Sequence, residues 1–201
     1  VPEKKSTIED VKYALSAHFQ GTHYDPYAAY GDDSMRGAYR SIGINRNDFM
    51  SLIQMRPEGG AAFGTLEWVA YASNAFNTMV PFYADVDETP EYLANTTGEV
   101  STGNFYWTSR LIAAMADASY KTCLAHIERY QLAAASKAHE ILNRYDHLLL
   151  AQADEEKRIQ LRLSANQELS DMIQELSQDT LDKVLFERSN GMKNAYARAD
   201  A

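Results

Sequence analysis

Three apolar runs follow one another in the first half of the chain. They are Tyr39-Arg40-Ser41-Ile42-Gly43-Ile44-Asn45-Arg46 with Met50-Ser51-Leu52-Ile53-Gln54-Met55-Arg56-Pro57, then Thr65-Leu66-Glu67-Trp68-Val69-Ala70-Tyr71-Ala72, then Met79-Val80-Pro81-Phe82-Tyr83. Each is rich in β-branched, aromatic and other strand-compatible residues, and turn formers such as Pro57-Glu58-Gly59-Gly60 lie between them. This pattern predicts consecutive antiparallel strands over residues 37–83, a β-meander. The runs are apolar on both faces, which predicts strands covered on both sides. Pro81 has no N–H to give to a ladder, so it should fall at a sheet edge or a strand start.

On the N-terminal side, Ser6-Thr7-Ile8-Glu9 reads as a cap followed by acid, with Ile8, Val11, Leu15 and Phe19 at helical spacing. A first helix is expected to run to about Gln20 and to end at Gly21. Residues 23–34 read as an ordered loop, and so do residues 84–103, punctuated by Pro90, Asn95 and Gly98. From residue 104 to residue 190 there is neither glycine nor proline, against usual usage of roughly one such residue in eight. Strong helix formers fill the stretch. Leu111, Met115, Cys123, Ile127 and Leu132, then Leu148, Leu149 and Leu150, then Leu169, Ile173, Leu181 and Leu185 suggest apolar stripes. Two to four long helices are expected, with breaks near Ala151-Gln152-Ala153-Asp154 and Ser177-Gln178-Asp179-Thr180. The fold class is therefore α+β. Residues 1–103 would carry a helix and the meander, and residues 104–201 a helical region packed on it.

Composition narrows the function. The chain has 201 residues and a net charge of −9, with the acidic excess in its first half. Nucleic-acid binding needs a basic patch to displace counterions from phosphates, so it is not expected. No apolar run reaches the ~20 residues that span a bilayer, and Val-Pro-Glu-Lys-Lys-Ser lacks the apolar core of a signal peptide. No membrane association is expected; the compartment stays open, with the cytoplasm favoured. A single cysteine, Cys123, excludes an internal disulfide framework and a cysteine-rich zinc site. Its helical neighbours Ser119, Tyr120, His126 and Ile127 make a packed structural thiol the expected role. His18, His23, His126, His139 and His147 show none of the paired spacing of a metal site. No metal and no cofactor are expected.

Arg40, Asn45 and Arg46 carry the most chemistry. On a strand, Arg40, Ile42, Ile44 and Arg46 would share one face and Ser41, Gly43 and Asn45 the other. An arginine at either end of a buried strand is costly unless it is paired. Two readings stay open: a site for an anionic substrate group or an oxyanion, or an internal ion pair with Asp32, Asp33 or Asp48. Phe105, Tyr106 and Trp107 are expected to seat the helices on the sheet.

Five pieces in order carry a family resemblance. They are Tyr24-Asp25-Pro26-Tyr27, the segment Arg40 to Arg46, Gln54-Met55-Arg56-Pro57, Pro81-Phe82-Tyr83 with Thr89-Pro90-Glu91, and Phe105-Tyr106-Trp107-Thr108-Ser109-Arg110-Leu111. Over residues 11–120 the chain resembles bacterial dipeptidases of the thiol-dependent, N-terminal-nucleophile class, relatives of secernin and of penicillin V acylase. The resemblance implies an αββα sandwich of two packed sheets with helices outside. It also implies an N-terminal cysteine that attacks the peptide carbonyl, with its own α-amine as base. Val1 is no nucleophile, Ser6 and Thr7 are not terminal, and Cys123 lies in a helical stretch.

The chain then reads as the C-terminal portion of that sandwich followed by a long helical region, with no catalytic residue of its own. The nucleophile would lie in an N-terminal segment of the same protein, upstream of Val1. The partners implied are that segment and, through the parent enzyme, a dipeptide substrate whose carboxylate Arg40, Asn45 and Arg46 would hold. Half a sandwich leaves an apolar sheet face, so a homo-oligomer is expected. The reading from another class is a non-catalytic helical interaction or oligomerisation module.

Overall fold

The computed structural model describes residues 5–28, 31–60 and 62–192. Helix α1 spans Ile8–Ser16. The Thr7 hydroxyl accepts the Asp10 N–H at 3.2 Å, and the Asp10 carboxylate accepts the Thr7 N–H at 2.8 Å. This reciprocal cap satisfies two donors that the first turn leaves open. The helix stops short of the expected end near Gln20. Ser16 Oγ bonds back to the Lys12 and Tyr13 carbonyls, and Gln20 Oε1 takes the His18 N–H at 2.9 Å, replacing a helical acceptor with a side chain. Phe19, at φ 62°, cannot continue a right-handed helix.

Residues 40–46 are not a strand, which corrects the expectation from their pattern. Their polar groups are satisfied locally: Ser41 Oγ donates to Gly43 O, the Ile44 N–H to Ile42 O and the Asn47 N–H to Ile44 O. Gly43 explains the path. It crosses the end of α1 with its N–H 2.8 Å from Ala17 O, and a Cβ there would lie 2.3 Å from Ser16 O. The glycine serves a close crossing of two backbones, which a pleated strand would not permit.

The sheet begins afterwards. Strands β1 (Phe49–Met55), β2 (Thr65–Tyr71) and β3 (Val80–Tyr83) form an antiparallel sheet in the order β1-β2-β3. The register runs from Phe49 opposite Tyr71 to Met55 opposite Thr65, and from Leu66 opposite Tyr83 to Val69 opposite Val80. Pro57–Gly59 forms a short 3-10 turn between β1 and β2. Pro81 lies in an edge strand, as its missing N–H requires. β2 and β3 are largely buried, but β1 is not: Phe49, Ile53 and Met55 are 54%, 55% and 80% exposed. Two-sided cover therefore fails at the outer strand.

A single turn, α2 (Glu91–Ala94), interrupts the loop expected over residues 84–103. Three helices follow: α3 (Phe105–Ala118), α4 (Tyr120–Ala151) and α5 (Glu155–Asn190). Asn104 caps α3 by accepting the Trp107 N–H, and Asp154 caps α5 by accepting those of Glu156 and Lys157. The break at residues 152–154 was legible; the one at Ser119, with φ −142°, was not. No break occurs at residues 177–180. There Thr180 Oγ1 bonds back to Leu176 O, and the Ser177 hydroxyl meets the Tyr92 hydroxyl at 2.9 Å inside the core.

One core joins sheet and helices. Ala134, Ala138, Leu142 and Leu149 of α4 and Ala165, Leu169 and Ile173 of α5 pack with Leu66, Trp68, Tyr83 and Phe105. Alanine at the contact lets long helices approach closely. Phe105 seats α3 as expected, between Tyr71 and Tyr92 at ring distances of 5.4 and 5.8 Å. Tyr106 and Trp107 instead lie half-buried at the surface. Leu132, Leu148, Leu150 and Leu185, placed on apolar stripes by spacing alone, are exposed. No helix of the described residues is long and apolar enough to cross a membrane.

Candidate functional site

Arg40, Asn45 and Arg46 sit exposed on the loop that crosses α1 and enters β1. The three acids proposed as internal partners are engaged elsewhere. Asp32 accepts the Ser34 N–H, which holds its carboxyl below the usual range. Asp33 pairs with Arg36 at 2.9 Å, and Asp48 meets Arg110 at 3.5 Å and the Tyr106 hydroxyl at 3.2 Å. Arg40 and Arg46 form no ion pair among the described residues, so the burial argument is corrected: both charges stay in water. Arg110 also donates to the Asn45 carbonyl at 3.2 Å, tying the loop to α3. Asn47 Nδ2 bonds Asn74 Oδ1, and Asn74 Nδ2 bonds Leu15 O, which pins the same loop to the segment after β2 and, through it, to α1.

The buried arginines are different ones, and spacing gave no sign of them. Arg56 Nη1 donates to Asp146 Oδ2 at 2.7 Å and Nη2 to Phe63 O at 3.0 Å, while its guanidinium lies 4.4 Å from the Phe63 ring. The Tyr83 hydroxyl donates to Asp146 Oδ1 at 2.7 Å. Burial, and then the Asp146 carboxylate, push that hydroxyl's pKa up. Arg162, 1% exposed, donates through Nε and Nη2 to Ala62 O and through Nη2 to Glu155 Oε1. Both cations fasten a helix to the segment joining β1 and β2, Arg56 through its two terminal nitrogens while its buried Nε has no partner among the described residues. A Pro-preceding arginine and an arginine inside a leucine-rich helix were the available signals.

Cys123 is fully buried, and burial pushes its thiol up. A nucleophilic cysteine needs the opposite environment, one that favours the thiolate. Three of the five histidines contact one acid each: His18 meets Asp25 at 3.0 Å, His126 meets Glu187 at 3.3 Å and His139 meets Glu9 at 3.2 Å. Among the described residues no group of three histidine, cysteine or acidic side chains could hold a metal ion.

Two clefts border the sheet and α1. One, about 300 Å³, lies between α1 and α4 and is lined by Lys12, Asn74, Asn77 and Gln131. The other, about 240 Å³, opens on the sheet face whose β1 side chains are exposed, and is lined by Phe49, Glu67, Val69, Tyr71, Phe82 and Leu93. Glu67 sits in that face with Ile53 opposite it on β1 and Phe82 on β3. Burial and the nearby Glu67 carboxylate raise the Tyr71 hydroxyl's pKa. The candidate site is this open face together with the arginine-bearing loop that runs into β1.

The model of peptidase family C69 matches residues 1–133. The chain is 36% identical to a dipeptidase of Bifidobacterium longum (strain NCC 2705), covering 99% of this chain and 44% of that protein. It is 41% identical to a probable dipeptidase A of Streptococcus pyogenes serotype M18, over 99% of this chain and 41% of that protein. With a probable dipeptidase B of Lactococcus lactis subsp. lactis (strain IL1403) the identity is 32%, over 94% of this chain and 40% of that protein. The chain belongs to peptidase family C69. It spans less than half the length of these curated relatives, and the similarity continues through the helices that carried no motif.

Proposed function

We propose that this chain is the C-terminal segment of a thiol-dependent dipeptidase that hydrolyses the peptide bond of small peptides. The observation that carries the reading is similarity to dipeptidases over 99% of the chain at less than half their length. In this reading the nucleophile is an N-terminal cysteine outside the chain, and the three-stranded sheet is one layer of an αββα sandwich completed by the N-terminal segment. A thiol buried among core residues, as Cys123 is, supports a nucleophile supplied from elsewhere.

Arg40, Asn45 and Arg46 bind the free carboxylate of the dipeptide. Two exposed guanidiniums with no carboxylate partner among the described residues keep their donors for a ligand. The protein works in the cytoplasm and self-associates; Leu148, Leu150, Leu185 and Phe186, exposed near helix ends, support association. The interaction-module reading is set aside, because such a module has no use for the sheet and its loop. Thiol alkylation tests the proposal. Applied to the longer protein carrying Cys123→Ser, it should abolish dipeptide hydrolysis; hydrolysis that survives would remove the cysteine from the mechanism.

A further inference from the structure

Three aromatic rings meet at the surface in the segment that leads to Arg40. Tyr24 and Tyr39 lie 5.0 Å apart between ring centres, and Phe19 lies 6.4 and 6.3 Å from them. Tyr39 is 59% exposed, and Phe19 is exposed as well. Ile42, two residues after Arg40, is a further exposed apolar side chain. Folding ordinarily turns such rings inward, because each carries a large apolar area. An apolar patch kept in water marks a contact site.

The backbone holds the rings there. Phe19 sits at φ 62°, a left-handed conformation that a bulky side chain rarely adopts. Such outliers persist only where surrounding contacts enforce them, and they gather at binding sites. The enforcing contacts are close by. The buried His18 ring meets the buried Asp25 carboxylate at 3.0 Å, closing the loop between them. The Phe19 carbonyl accepts both the N–H and the hydroxyl of Thr22, at 3.0 and 2.7 Å. Gly37, at φ 67°, donates its N–H to the Tyr24 carbonyl at 3.3 Å, which brings the chain back to lay Tyr39 on Tyr24. The rings are therefore set in place before anything binds, which lowers the cost of binding.

Charge narrows what sits on them. Arg40 follows Tyr39 directly, about 3.8 Å away at Cα, and it has no carboxylate partner among the described residues. An apolar platform bordered by a free guanidinium suits a ligand that carries an apolar side chain and a carboxylate on one short unit. The C-terminal residue of a peptide is such a unit. We infer that Phe19, Tyr24 and Tyr39 receive the side chain of the dipeptide's C-terminal residue while Arg40 takes its carboxylate. The preferred substrates are then dipeptides that end in a large apolar residue, above all an aromatic one. The inference rests on the reading that this loop binds the dipeptide.

Hydrolysis and binding by the longer protein test it. Its kcat/KM for Ala-Phe should exceed that for Ala-Gly by about tenfold or more. Tyr39→Ala and Phe19→Asn should each shrink this ratio by about threefold or more, the scale of one aromatic contact. Asparagine accepts the left-handed backbone at position 19, and Tyr39 is exposed, so neither variant should lower the thermal midpoint. A ratio unchanged in both variants overturns the inference; if the midpoint falls as well, the rings belong to packing within the longer protein. Binding is measured separately with N-acetylphenylalanine, its amide and N-acetylglycine. N-acetylphenylalanine should bind tightest and lose its lead in Tyr39→Ala, and equal binding of its amide would remove Arg40 and overturn the inference. Tyr39-dependent binding without hydrolysis of any dipeptide upholds the ring site and counts against the peptidase reading. Hydrolysis without a Tyr39-dependent preference overturns the ring site and leaves that reading intact.

Discussion

Arg56 Nη1 stands 2.7 Å from Asp146 Oδ2, joining the residue after β1 to α4, and Tyr83 of β3 donates to the other oxygen of the same carboxylate. Two sheet edges and one helix therefore meet on a single acid. Asp146→Ala leaves a guanidinium that is 8% exposed without its counter-ion. Breaking a buried pair from one side costs about 3–5 kcal/mol. Asp146 keeps 22% of its side chain exposed, which puts the expected loss near the lower end, about 3 kcal/mol. The double change Arg56→Met with Asp146→Leu should lose less than Asp146→Ala alone. Urea unfolding of the three variants measures this; an equal or larger loss in the double variant would deny the pair its role.

Asn166 closes the β3 edge through both atoms of its amide. Asn166→Leu should cost about 2–4 kcal/mol, because a buried N–H and a buried carbonyl each lose a partner. The Tyr83 amide should exchange faster in step with the lost stability. An unchanged Tyr83 exchange rate would mean that water or another group takes over.

Alkaline pH should unfold the chain in a defined window. Burial, with Asp117 adding to it, pushes the Tyr27 hydroxyl up from 10.0 to about 12. Tyr71, Tyr83, Tyr92 and Tyr130 are raised as well, in each case mainly by burial. An acid whose pKa is raised on folding stabilises the folded state fully below the unfolded value and loses that contribution as pH rises through the folded one. Stability should therefore fall from about pH 10 to about pH 12. Titration of tyrosine absorbance at 295 nm, about the wavelength of the phenolate, should show several groups ionising only with loss of helical signal. Early, structure-independent ionisation of them all would contradict the burial.

If Arg40 or Arg46 holds a substrate carboxylate, replacing it with methionine in the longer protein should lower kcat/KM by about 1.5–3 kcal/mol, the worth of a charge-assisted hydrogen bond. The loss should vanish for a dipeptide amide, which has no carboxylate to hold. Kinetics on free and amidated substrates separate this from a scaffold role, which predicts equal losses on both.

The sequence told the elements better than their environments. Strand-compatible runs located β1, β2 and β3, and a glycine- and proline-free stretch located the long helices. Residues 40–46 have the composition of a strand but form a crossing. Gly43 decides this through its contact with Ser16, a tertiary fact that no local pattern carries. Ser177 and Thr180 look like a break until Tyr92 is seen to meet Ser177 from another element. For the same reason the site was half legible. Arg40, Asn45 and Arg46 were singled out, but their exposure reverses the expected burial. Arg56 stood out only as part of a family motif, and Asp146 and Arg162 not at all, because their partners lie far off in sequence.

The measurement nearest the central claim is dipeptide hydrolysis by the purified chain alone, with and without Cys123. Its nucleophile lies elsewhere in this account, so the chain should release no amino acid from any dipeptide, and alkylation should change nothing. Alkylation of native Cys123 should also be slow, since the thiol is buried and its pKa raised. Turnover by the chain alone that Cys123→Ser abolishes would contradict the account outright.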